Sequence, residues 1–109
     1  MKAKNYTAYV STVEYSGEIK KARLQGNGLD AMKKHSRLHC HLLTDGRMAF
    51  AHVLLVESAK GADGKRRAWQ SDYSLDKRGL SLWKNWMEQE PLTLDELPDN
   101  APRTRRKIC

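Results

Sequence analysis

RLHCHLLTDGRMAFAHVLLVE, residues 37–57, is the stretch on which the fold turns. At its centre, Asp45-Gly46 is a pair that readily takes the positive φ angles of a type I′ turn. Read that way, Arg37 to Thr44 and Arg47 to Glu57 form a β-hairpin, with His39 opposite His52 and His41 opposite Phe50. One face then carries His39, His41, Leu43, Met48, Phe50, His52 and Leu54. The other carries Leu38, Cys40, Leu42, Ala49, Ala51, Val53 and Leu55; it is apolar throughout and is expected to face the core. The mixed face is left for function.

Upstream, Asn5 to Tyr15 is rich in Tyr, Thr and Val and reads as a strand. Ser16-Gly17-Glu18 turns it into a second strand, Ile19 to Gln25, which Gly26-Asn27-Gly28 breaks. Leu29 to His35 reads as a short helix. Downstream, Ala59 to Lys65 is a loop, followed by a strand from Arg66 to Tyr73. Leu80, Trp83 and Met87 then recur at helical spacing, with Leu82 and Trp86 widening the stripe. Gly79 or Ser74 starts that helix and Pro91 stops it. The expected fold is α+β: one small domain in ββαβββα order, an antiparallel sheet with a C-terminal amphipathic helix packed on one face.

The chain has 109 residues and a net charge of +7, which suits one domain. The charge is unevenly spread. Met1 to Met87 holds 16 basic and 8 acidic residues, whereas Glu88 to Pro102 holds five acids and no base. Arg103, Arg105, Arg106 and Lys107 then make the end basic. All three prolines, Pro91, Pro98 and Pro102, fall in the last fifth of the chain. The expected division is a basic α+β domain over 1–90 and an extended acidic connector with a basic C-terminal tail over 91–109. The apolar run Val53 to Val56 is far shorter than the about 20 residues of a membrane span. Met1 to Val10 lacks the apolar stretch of a secretory signal. Cys40 and Cys109 read as free thiols, because a disulfide to the last residue would order a mobile end. The expected setting is cytoplasmic, without membrane association. The oligomeric state is not legible.

Three features carry chemistry. In the hairpin register, His39, His41 and His52 converge on one sheet face, where facing pairs have Cβ atoms about 5 Å apart. Such a trio is a candidate platform for zinc or manganese with one position open to water. No Asp or Glu on these strands supplies a second-shell acceptor, and three partly exposed histidines on a sheet face are the plainer alternative. The second feature is three basic clusters: Lys20, Lys21 and Arg23; Lys33, Lys34 and Arg37; Lys65, Arg66 and Arg67. Clustered cations attract phosphates by charge neutralisation and counterion release. With Phe50, and with Tyr9, Tyr15, Trp69 and Tyr73 near them in sequence, they outline a stacking platform for single strands. The third feature is Trp83 and Trp86, which serve either as core against the sheet or as anchors for a protein partner.

His39-Cys40-His41 also resembles the His-hydrophobic-His motif of rolling-circle replication initiators and relaxases. That resemblance implies a metal-dependent single-strand nuclease, with Tyr73, followed by Asp76 and Lys77, in the place of the nucleophile. The residues themselves favour a non-catalytic protein that contacts nucleic acid or a nucleoprotein complex, in the manner of a mobile-element or phage accessory protein. No cofactor is required for that role. The other reading is a protein–protein interaction module or inhibitor that occupies a host protein's surface.

Overall fold

A computed structural model describes residues 4–75 and 81–97 of the protein. Strand β1 (Asn5–Glu14) and strand β2 (Ile19–Asn27) pair antiparallel, and helix α1 (Leu29–Leu43) follows. Strands β3 (Met48–Glu57), β4 (Arg66–Leu75), β5 (Ser81–Trp83) and β6 (Met87–Leu92) complete the sheet, and a single 3₁₀ turn spans Leu94–Glu96. Among the described residues the sheet has six strands in the order β2-β1-β3-β4, with β5 and β6 lying in succession along the outer edge of β4. All pairings are antiparallel. The α+β class and the antiparallel sheet hold; the order of elements differs from expectation at two places.

The first is the start of the stretch at 37–57. Residues 37–43 belong to α1, not to a strand. The helix contains no Val, Ile or Thr, the residues that favour a pleated surface. Met32, Ser36 and Cys40, four apart, are the residues it buries. Asp45 and Gly46 do take positive φ, 51° and 78°, but they end a helix. The Gly46 N–H donates to the His41 carbonyl at 3.0 Å and the Asp45 N–H to the Leu42 carbonyl at 3.3 Å. This is the Schellman arrangement, which satisfies the last free carbonyls of a helix. The Thr44 hydroxyl adds a bond to the Cys40 carbonyl at 3.0 Å.

The second is the expected C-terminal helix. Trp83 and Trp86 lie in and beside β5 and β6, on a bulged edge strand. Tyr73 pairs with Trp83 and Gln70 with Met87, so Lys84, Asn85 and Trp86 oppose only Ser71 and Asp72. The extra residue is a β-bulge, which reverses the alternation and lets residues three apart face the same way. Helical and bulged-strand spacing are therefore the same on paper. Pro91 sits in β6, where an edge strand tolerates a missing N–H. Gly79, Leu80 and Lys77 lie outside the described residues, as does the tail at 98–109 with Cys109.

One face of the sheet is covered by α1. Tyr6, Ala8 and Val10 of β1, Ala51, Val53 and Leu55 of β3, and Trp69 and Tyr73 of β4 pack there with Met32 and Cys40. Alternation of β3 about Ala51, Val53 and Leu55 is as expected from the sequence. Met48 is not on the mixed face but in the core, because a bulge at Ala49 shifts the register between β1 and β3. Among the described residues the opposite face is covered only at one end, where Leu92 and Leu97 fold over Leu54, Val56 and Ala68. Thr93 starts the 3₁₀ turn that brings Leu97 there, its N–H and its hydroxyl both donating to Glu96 Oε1, at 2.7 and 3.0 Å. The packed body thus runs past Glu90 to Leu97.

Candidate functional site

The uncovered half of that second face is organised in rows, because register partners on antiparallel strands point to the same side. One row runs Ile19, Val13, Phe50, Ser74, Leu82 from β2 to β5. Ile19, Phe50 and Leu82 in it are 62%, 57% and 58% exposed. The next row runs Lys21, Ser11, His52, Asp72. It is continued by Lys84, whose N–H donates to the Asp72 carbonyl at 2.8 Å. A third row runs Arg23, Tyr9, Leu54, Gln70, Met87. A polar row thus lies between two largely apolar ones. Ser11, Val13, Phe50, His52, Asp72, Ser74 and Lys84 line a groove of about 360 Å³ across the rows. At about 4.8 Å per strand, five strands span roughly 19 Å.

His52 Nδ1 and Asp72 Oδ1 are 2.6 Å apart and both side chains are half exposed. The carboxylate fixes the orientation of the ring, which lines the groove. Ser11, His52 and Asp72 stand on successive strands in the order of a Ser-His-Asp relay. Of the three side chains, His52 and Asp72 are the pair joined by a hydrogen bond. The row is suited to holding polar groups of a ligand.

The histidine trio is not formed. His39 lies on α1 in a groove beside β2, His41 lies under Trp83, and His52 lies on the opposite face of the sheet. Trp83 Nε1–H donates to His41 Nε2 at 3.1 Å, which occupies that lone pair. Among the described residues, no group of three or more His, Cys, Asp or Glu side chains is placed to hold a metal ion. The zinc or manganese platform depended on the hairpin register and is lost with it. The nuclease geometry fails for the same reason: His39-Cys40-His41 is helical, so its two histidines diverge. Tyr73, its expected nucleophile, is buried edge-on to His41, with ring centroids 5.3 Å apart.

The basic candidates divide between the two sides. Lys21, Arg23 and Phe50 share the open face. Lys20 points the other way, to Glu14 Oε2 at 2.9 Å and to the Leu43 carbonyl at 3.1 Å. The bond to Glu14 holds the Lys20 ammonium above its ordinary range. Lys33 lies over Trp86 on the helix side, and Lys34 is exposed on α1. Arg37 is taken up structurally. Its guanidinium stands 5.2 Å from both Trp83 and Trp86 and donates to Ser71 Oγ and to the Lys84 carbonyl. Burial draws its proton affinity below the usual arginine value. Arg67 covers Trp69 and makes a two-point bond to Glu88 at 2.9 and 3.1 Å. That pairing raises Arg67 and lowers Glu88. Arg66 Nε–H donates to the Ser58 carbonyl, and Lys65 is exposed at the end of the loop before it.

Ser11, Asp72 and Lys84 join the site without a sequence signal of their own. Only the pairing of β1 and β4 with β3 would have shown Ser11 and Asp72. No helix among the described residues is long and apolar enough to cross a membrane. Comparison with protein-family models, curated proteins and solved structures found no match.

Proposed function

We propose that the open face binds single-stranded nucleic acid without cleaving it. The observation that carries this reading is the juxtaposition of the Phe50 row and the Lys21-to-Lys84 row. An exposed aromatic ring at the centre of a sheet is a stacking surface for a base. The adjacent polar row has a cation at each end, Lys21 and Lys84, with the Ser11 hydroxyl and the His52 ring between, while the Asp72 carboxylate is bonded to His52. A phosphodiester chain crossing the strands would meet the two cations at the ends of the row. Sheet platforms of similar breadth hold two or three nucleotides. The net charge of +7 adds long-range attraction.

The test is fluorescence anisotropy of a labelled single-stranded oligonucleotide, as DNA and as RNA, over a range of salt. Binding should weaken steeply with salt, and Phe50→Ala should weaken it at every salt concentration without changing the slope. Lys21→Ala with Arg23→Ala should lower the slope itself. Salt-insensitive retention, or none at low salt, contradicts the reading.

A second reading is a protein partner on the same face. Exposed Ile19, Leu82 and Met87, none of them needed to stack a base, favour it. It predicts a complex that survives nuclease treatment and is lost on Leu82→Asp.

A further inference from the structure

The other side of the molecule carries two exposed leucines that neither the sheet core nor the open face explains. Leu38 and Leu42, one turn apart on α1, are 56% and 67% exposed. They overhang a groove of about 420 Å³ between α1 and β2, together with Leu24, Met32, His35 and His39. Strand β2 forms the floor and is itself an edge: among the described residues no strand pairs with its outer side. It is nine residues long, regular and free of proline, with no acidic residue. Such an edge presents unpaired N–H and C=O groups to an incoming strand.

We infer that this edge is a docking site for an extended, acidic peptide segment of a partner protein that adds a strand beside β2. The side chains fix the pattern of that segment. Residues Ala22, Leu24 and Gly26 of β2 lie on the helix side, while Lys21, Arg23 and Gln25 lie on the open side. A strand added outside β2 alternates in the same way. Every second residue enters the groove beneath Leu38 and Leu42 and must be apolar. The residues between them stand beside Lys21 and Arg23, which have no carboxylate partner among the described residues, and are acidic. Gly26 keeps the groove's end open to Met32, since a Cβ there would stand 2.6 Å from Met32 Sδ.

Charge decides against a second copy of the chain. Two β2 strands side by side would bring Lys20, Lys21 and Arg23 of one against the same cations of the other. The opposite edge is acidic but ill suited to enter the site: Pro91 interrupts β6, and Glu88 is engaged by Arg67.

The experiment uses the full chain and a labelled, end-capped peptide as long as β2 that alternates glutamate with leucine. A peptide of the same composition with its glutamates and leucines in two blocks is the control. The alternating peptide should bind saturably and the control at least about tenfold more weakly. The surface variants Leu38→Glu with Leu42→Glu, and Lys21→Glu with Arg23→Glu, should each lose at least about tenfold while melting at the wild-type temperature. Equal binding of the two peptides, no binding, or indifference to Leu38→Glu with Leu42→Glu overturns the inference. So does a dimer in sedimentation that the leucine variant splits, which would give the edge to a second copy. Oligonucleotide binding by the leucine variant should stay at the wild-type level, so the peptide site and the open face fail separately.

Discussion

The Arg37 guanidinium donates to the backbone carbonyl of Lys84 at 2.8 Å. The bond joins the middle of α1 to the bulge between β5 and β6, and the same carbonyl also accepts from Ser71 Oγ at 2.7 Å. A bulge leaves a carbonyl outside the ladder, and here two donors satisfy it. Trp83 and Trp86, both 5.2 Å from the guanidinium carbon, enclose the cation.

Arg37→Ala should therefore destabilise the protein by about 2–3 kcal/mol, the range for charged hydrogen bonds with cation–π support. Arg37→Lys should recover only part, because a compact, strongly hydrated ammonium on a shorter stem loses the planar stacking against Trp83 and Trp86, even though one nitrogen can serve both Ser71 and Lys84. Chemical denaturation measures both; equal stability of the lysine variant and wild type would show that charge alone suffices.

Cys40 is fully buried on α1, its thiol donating to the Ser36 carbonyl at 3.3 Å. Burial pushes its pKa up to about 12. Almost no thiolate exists at neutral pH, and the native protein should resist alkylation at this position until it unfolds. Mass mapping of iodoacetamide-treated protein checks this; rapid labelling of Cys40 under native conditions would contradict it.

Glu88 and Glu96 both stand below the usual carboxylate range, Glu88 through its bond to Arg67 and Glu96 through the bonds from Thr93. A carboxylate lowered on folding contributes stability that is present above its unfolded value, 4.5, and is lost as pH falls through the lower folded value. Acidification should loosen β6 and the following turn before the central strands. Amide exchange of β6 and β1 followed through this range tests the order, and simultaneous loss of protection would contradict it. Arg67→Gln should remove the part due to Glu88.

Gly46 holds φ at 78° as the third residue after the helix. Gly46→Ala should cost about 1 kcal/mol, since a Cβ is strained there even though open space surrounds it. Thermal melting measures it; an unchanged or raised melting temperature would show that the left-handed geometry is not required.

Much of the sheet is legible in the sequence. The Tyr, Thr and Val content of Asn5 to Glu14 and the alternation of Ala51, Val53 and Leu55 place β1 and β3. With them, Phe50 and His52 fall on the uncovered side. Two ambiguities are physical. Asp-Gly supplies left-handed conformations to a hairpin and to a helix end alike, and what separates the two is the absence of β-branched residues from Leu29 to Leu43. Apolar residues at spacings of three and four fit a helix, but also a strand with one bulge. The missing third strand scattered the histidine trio, and the missing helix turned the tryptophans into a clamp for Arg37. Ser11 and Asp72 became visible only through register, which no local pattern records.

The proposed nucleic-acid site is the open face rather than the helix side, where Lys33 and Lys34 also offer charge. Amide shift mapping by NMR during titration with a single-stranded oligonucleotide tests this most directly. The largest changes are expected at Lys21, Ser11, Phe50, His52 and Lys84, with α1 nearly still. Changes centred on Lys33, Lys34 and the outer turns of α1, with Phe50 and His52 unmoved, would contradict it.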